Sequence, residues 1–281
     1  MSSASRVILL YDLPGKCAKD EAWSPNVWKV RFILNYKRIP YKTMWIEFPD
    51  IANVAKDIGA PPAAIRKNGD PWYAVPFIYD PATRSYVSTS TGIARHLDTA
   101  YPDTPKLFPP GTDALISAYE DLWMNNVFPH ISPLMMERVW MQLSLPSQAY
   151  FRKTREAMFR KPLEELCPAA EAPALWKNLE KALDRINNYM ASGQGPFIGG
   201  KSMTYADVMM AGWFVWIKRI YGPESPEWRR VEGWHGGRWG RLMAEFAKIE
   251  YTEGVLETAK IVLRKVFGTG LRHREAHASW T

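Results

Sequence analysis

Cysteine is almost missing from this chain of 281 residues, which holds Cys17 and Cys167 and no others. Two cysteines this far apart build no disulfide framework, and no Cys-x-x-Cys or Cys/His spacing offers a zinc site, so no metal is expected. Cys17 reads as an ordinary free thiol in a loop. Long hydrophobic runs are lacking as well. The longest, Val208–Ile217, covers ten residues, against the ~20 that a membrane span requires. The first apolar run, Val7–Tyr11, is too short for a signal peptide and leads straight into a turn. A reducing, cytoplasmic setting is therefore expected, with no membrane partner. Charge of one sign is not concentrated either. The formal net charge is +7, but Lys and Arg are interleaved with acids. The densest basic stretch, Arg264-Lys265 and then Leu271-Arg272-His273-Arg274, reads as a solvated, loosely held tail, so no nucleic acid partner is expected. A mild positive field still favours small anionic ligands. No internal repeat or low-complexity segment occurs.

What the chain does have is apolar and aromatic substance. Hydrophobic residues make up 47%, enough for a large core, and nine of the 13 tryptophans lie after residue 110. Up to residue 100 the elements alternate. Arg6–Leu13 reads as a buried strand ending at Pro14-Gly15. Ser24-Pro25 starts a helix that runs to Asn35-Tyr36, with Ser24 at the cap and Pro25 at the first helical position. Tyr41–Phe48 reads as a strand and Asp50–Gly59 as a short helix capped by Asp50. Pro61–Trp72 is loop-like. Val75–Asp80 is a strand whose Pro76 fits only at its start, and a cis Val75-Pro76 bond would suit it. Ser85–Ser88 completes a hairpin, and a helix from Ser90 to Leu97 comes next. The order β-α-β-α-β-β-α predicts a right-handed βαβ unit joined to a hairpin and a closing helix.

Pro102–Gly111 is rich in turn residues and reads as a linker between residues 1–101 and 112–281. After it, helices alone are expected. The first is capped by Thr112 and runs to Asn126, and Pro129 and Pro133 break or bend the chain beyond it. Further helices are expected at 134–142, 147–160 and 173–191. Thr204-Tyr205-Ala206-Asp207 is a capping box, with Met203 and Val208 placed as its hydrophobic staple. The helix it opens is apolar nearly all round and so belongs at the centre of the molecule. A last helix, 226–250, is interrupted by Gly233, Gly236, Gly237 and Gly240.

Three features share one chemistry. Ser24 puts a hydroxyl at a helix N-terminus, where free amides favour an anion. A cis bond at Val75-Pro76 would leave the backbone of Val75 free to pair with an extended peptide. Thr89-Ser90 opens another helix, whose hydroxyls and amides can hold a carboxylate. A ligand suited to all three carries a thiol, a peptide backbone and a free α-amino acid end, and glutathione meets that description.

The same residues carry a resemblance to a known family. Ser24–Arg31, Val75-Pro76-Phe77, Thr89–Ala94 and Thr204–Asp207 resemble the landmarks of cytosolic glutathione transferases, and Trp23–Asp50 is most similar to the fungal etherase-related class, relatives of bacterial lignin β-etherases. The resemblance spans residues 6–250. It implies an α+β thioredoxin-like N-terminal domain, an all-α C-terminal domain carrying a hydrophobic substrate pocket, and a homodimer. It implies that Ser24, assisted by the amide of Asn26, stabilises the glutathione thiolate. Val75, with Pro76, would pair with the cysteinyl backbone, and Ser90, with Thr89, would hold the γ-glutamyl carboxylate. Asp207 would be structural. Many relatives carry an acid where this chain has Thr89. Lys56, Arg66 and Lys67 are the nearby cations, but none is assigned to the glycyl carboxylate. Relatives that reduce disulfides carry a cysteine where this chain has Ser24. A serine forms no mixed disulfide, so conjugation, peroxidase-like or ether-cleaving chemistry is implied. The expected second substrates are hydrophobic aromatic small molecules, lignin-derived or wood-extractive compounds among them, lodged by Trp23, Trp28, Tyr119, Trp123, Phe128, Met135, Trp213 and Trp216. Two other readings are a ligandin-type carrier of polyphenols and a glutathione-dependent β-etherase.

Overall fold

The computed structural model describes residues 7–16 and 20–250 and the backbone of a strand at 256–260. Cys17 and the basic tail lie outside the described residues. The first strand, β1 (Ile8–Asp12), is buried except for the half-buried Leu9, as its apolar run Ile8–Tyr11 requires. It pairs in parallel with β2 (Tyr41–Trp45) through the crossover helix α1 (Pro25–Tyr36). The short helix α2 (Ile51–Asp57) leads to a small exposed hairpin of β3 (Ala64–Ile65) and β4 (Pro71–Trp72). Then come β5 (Phe77–Asp80), antiparallel to β1, and β6 (Ser85–Ser88), which pairs with β5. Helix α3 (Ser90–Ala100) closes the unit. Arg31 anchors α1 to the sheet: its guanidinium donates to Asp12 Oδ2 at 2.9 Å and to Thr43 Oγ1 at 3.0 Å, all three side chains being buried.

Helices make up the chain from Asp113 to Ala247: α4 (Asp113–Asn126), α5 (Phe128–Gln142), α6 (Leu145–Phe159), α7 (Ala172–Ala191), α8 (Tyr205–Tyr221) and α9 (Pro226–Ala247). Helix α8 is buried from Tyr205 to Ile217, the central helix its composition predicts. A thioredoxin-like N-terminal domain is thus followed by an all-helical C-terminal domain.

Several expectations change at the level of elements. Ile46, Glu47 and Phe48 fall outside the strand, because Phe48-Pro49-Asp50 turns into a 3₁₀ segment where Pro49 offers no ladder donor. The stretch Pro61–Trp72 is not only loop, since the β3–β4 hairpin forms within it. Pro133 does not break its helix. It lies six residues into α5, so its missing N–H spares only the carbonyl of Pro129 in the first turn. Neither Ser24, Asp50 nor Thr112 makes a side-chain cap bond, and Thr112 Oγ1 donates to the carbonyl of Pro109 instead. A fifth strand, β7 (Leu256–Lys260), joins the edge of the sheet beside β2, which nothing in the sequence pattern announces. Helix α9 is kinked at Trp234–Gly237, where His235, Gly236 and Gly237 all have positive φ.

Candidate functional site

A cavity of about 1040 Å³ opens between the sheet domain and the helices. Its floor is the end of the sheet where β1 hands over to α1 and β5 begins. Ser24, Asn26, Val75, Pro76, Thr89 and Ser90 all line it.

Each is placed there by local structure. Ser24 precedes α1 in extended backbone (φ −63°, ψ 123°), and its carbonyl accepts the first helical bond, from Trp28. Its side chain is buried beside the cavity and has no hydrogen-bond partner among the described residues. The amides of Asn26 and Val27 likewise find no backbone acceptor, as expected for a first turn. Ser24, with its free hydroxyl, and Asn26, with its free amide, therefore line the same space. The Val75-Pro76 bond is cis. Neither the N–H nor the C=O of Val75 takes part in a hydrogen bond among the described residues, so both remain open to an extended ligand.

The start of α3 is tied to this point: the amide of Thr89 donates to the carbonyl of Pro76 at 3.1 Å. Thr89 has φ 67°, a conformation that β-branched residues rarely adopt. Its Oγ1 accepts from the amide of Gly92, which turns Ser90 inward. The Ser90 hydroxyl accepts from the Tyr205 hydroxyl at 3.0 Å. Tyr205 also meets Thr91 Oγ1, which donates to the carboxylate of Glu120 at 2.9 Å. Glu120 and Thr91 line the cavity too. Burial in this network pushes the Tyr205 hydroxyl well above the ordinary tyrosine range, so it stays protonated and a donor.

A buried cation stands in the wall near Ser24. Lys29, on α1, donates to Asn26 Oδ1 at 3.0 Å and lies 4.6 Å from the ring centre of Trp213. Burial pushes it down to about 8, against the opposing pull of Glu120.

The upper wall is mostly apolar, although Asp121, Lys153 and Arg155 also line it. Of the expected pocket residues, Trp23, Phe128, Trp213 and Trp216 line it. Trp28, Tyr119, Trp123 and Met135 do not. Trp28 is core, its Nε1 donating to the carbonyl of Ala22. Trp123 packs edge-on against Phe214 with no exposed surface, and Met135 is equally buried. The Tyr119 hydroxyl is spent on Met210 Sδ, 2.8 Å away. Phe48, Trp72, Met136, Tyr150, Phe151 and Phe159 complete the wall instead. Phe48 stacks on Tyr150 and meets Phe151 edge-on, which carries the wall from the sheet domain onto α6. No local pattern hints at that seam, because it joins residues a hundred positions apart. Of the three basic candidates, Arg66 lines the cavity and lies over Trp72, whereas Lys56 lies over Tyr73. Lys29 does carry a signal in the sequence: it is a cation set among the apolar residues of α1.

The described residues hold no cluster of His, Cys, Asp and Glu able to bind a metal, and no helix among them is long and apolar enough to cross a membrane.

Comparison with known proteins bears on the same elements. Residues 22–105 match the family model of the glutathione S-transferase N-terminal domain, and residues 114–251 that of the C-terminal domain. The glutathione S-transferase-like protein ustS of Aspergillus flavus is 31% identical over 256 residues, which is 86% of this chain and 88% of that protein. Two solved structures are similar throughout. One is the glutathione S-transferase CsGST63524 of Ceriporiopsis subvermispora in complex with glutathione, 40% identical, covering 88% of this chain and 98% of that one with a TM-score of 0.84. The other is glutathione transferase GSTFuA3 of Phanerochaete chrysosporium, also 40% identical, with the same coverage and a TM-score of 0.83.

Proposed function

The chain belongs to the glutathione S-transferase family, and from that premise we propose that it is a serine-type transferase that activates the thiolate of glutathione for attack on hydrophobic aromatic electrophiles. The observation that carries this reading is the convergence of Ser24, Val75 and Ser90 on one cavity whose remaining wall is rich in aromatic side chains. In this reading the Ser24 hydroxyl donates to the sulfur, and the amide of Asn26 assists. The open backbone of Val75 pairs with the cysteinyl residue. Ser90 and the first amides of α3 take the γ-glutamyl carboxylate. Glu120 takes the γ-amine, in place of the acid that many relatives carry where this chain has Thr89. Arg66 is the cation for the glycyl carboxylate.

The thiolate would then face Trp23, Phe128, Trp213 and Trp216, and aromatic electrophiles fit that wall by apolar burial and ring stacking. Lignin-derived and wood-extractive compounds are candidates, with the β-aryl ether bond among the groups to be cleaved. A homodimer in the cytoplasm, divided into residues 1–101 and 112–281 by a linker, completes the proposal. The size of the cavity favours a second reading, a ligandin-type carrier of polyphenols.

One experiment separates these. Glutathione is supplied with a panel of aromatic halides, epoxides, isothiocyanates and a β-aryl ether, to wild type and to Ser24→Ala. Turnover falling strongly in the variant, with glutathione affinity little changed, is the expected result. Phenol release from the ether would add etherase chemistry. Tight binding of the aromatics with no turnover of any would make the protein a carrier. Unchanged turnover in Ser24→Ala would remove the serine from the mechanism.

A further inference from the structure

Lys29 makes no ion pair among the described residues, yet the fold goes to some length to bury it. Its side chain belongs to a residue only 3% exposed, and its one hydrogen-bond partner there is the neutral Asn26. The charged group whose field reaches it is Glu120 on α4; α8, packed against it, presents Gly212 and Trp213, and α1 presents Asn26. An internal ammonium with one neutral acceptor and one ring face is under-compensated, and burial of this kind is costly unless a counter-charge arrives.

The path of the side chain is built for it. A Cβ at Gly212 would fall 2.6 Å from Lys29 Cγ and 2.8 Å from the carbonyl of Pro25. Helix α8 therefore gives up a side chain, in the middle of a buried helix, where the lysine stem passes. That stem ends at Asn26, one turn back along α1 and two residues from Ser24. Ser24, Asn26, Lys29 and Trp213 line the same cavity.

We propose that Lys29 is a positioning residue for the thiolate, fixing the Asn26 side chain beside Ser24 and supplying the internal positive charge that the sulfur anion balances. This rests on the glutathione-activating reading above. Ser24 donates one hydrogen bond, whereas Lys29 acts at a distance, through its field in a site of low dielectric. An opposite charge held near an ionising group typically makes it about tenfold or more stronger as an acid.

The test records the ultraviolet absorbance of the bound thiolate against pH in wild type, Lys29→Met and Lys29→Gln. Both variants keep most of the stem and lose the charge, and Gln covers the case in which Met fails to fold. Binding of S-methylglutathione, which has no thiol to ionise, serves as the control. The expected result is a bound thiol about tenfold less acidic in both variants, with S-methylglutathione affinity unchanged. A thiol that ionises in the variants at the wild-type pH overturns the role of Lys29 and leaves the transferase reading standing. A wild-type protein that binds glutathione without acidifying it overturns both.

Discussion

At the scale of the residue, Lys29 and Ser24 make opposite demands on the same helix. Ser24 is a small polar group beside the cavity that makes no side-chain cap bond, so replacing it is expected to cost little stability. Lys29 is a buried cation whose acidity is raised by burial, from the ordinary lysine range to about 8. The folded chain therefore binds fewer protons than the unfolded chain between pH 8 and the ordinary lysine range. Stability carried by this group rises with pH across that window. Lys29→Met removes the titration, so the variant is expected to be more stable than wild type below pH 8 in the absence of glutathione, with the difference shrinking as pH climbs. Urea unfolding at a series of pH values reads this directly, and a constant difference would show that Lys29 is solvated in solution. The same residues show what a sequence can carry. Ser24, Asn26, Val75, Thr89 and Ser90 are readable because each sits at a punctuation mark, a helix start or a strand-opening proline. The aromatic wall is readable only in part. Trp123 and Trp213 lie on different helices, and burial rewards an indole equally in a core and in a pocket wall. Which of them meets the cavity depends on how α4 and α8 are rotated, and neither helix encodes that alone.

At the scale of the element, α8 organises the molecule, and its start is its most legible feature. Asp207 closes the capping box with Thr204. Its carboxylate is fully buried and accepts from the Thr204 amide and hydroxyl, each at 2.9 Å, and from the Ile198 amide at 2.7 Å. Asp207→Ala would strand these donors inside the protein and remove the cap. A loss of about 2–4 kcal/mol is expected from the cap and the unsatisfied amides together. Chemical denaturation measures it, and a loss below about 1 kcal/mol would show that water reaches the Ile198 and Thr204 amides. The elements that escape the sequence reading are short or remote. The β3–β4 hairpin is too brief for periodicity to register. Strand β7 joins the sheet from far along the chain, and only β2 in place can tell it where to pair. The Phe48–Phe151 seam has the same origin, contact between positions that no local pattern connects.

At the scale of the whole molecule, the residues proposed to face glutathione belong mostly to one domain but are held by both. Ser90 is fixed from behind by Tyr205 of α8. The carbonyl of Pro25 and the stem of Lys29 press on Gly212 of the same helix. Lys37, just past the end of α1, pairs with Asp98 of α3 at 2.6 Å and donates to the carbonyl of Pro105, which leads into the helices. The sheet domain thus presents α1 to a helix it does not contain. Loss of α8 would expose apolar surface on α1 and the whole buried stretch from Tyr205 to Ile217 together. We therefore expect the two domains to unfold in one transition, although the proposed ligand contacts fall mostly on the first. S-methylglutathione at a hundred times its dissociation constant should stabilise the whole molecule by about 2.7 kcal/mol, since only the folded chain binds it. The near-ultraviolet signal of the tryptophans, most of which lie in the helical domain, and the far-ultraviolet signal of both domains should then move up together. If the near-ultraviolet signal keeps its midpoint while the far-ultraviolet curve splits, the domains are energetically separate, and the contacts of Tyr205 and Gly212 hold position without carrying stability across the interface.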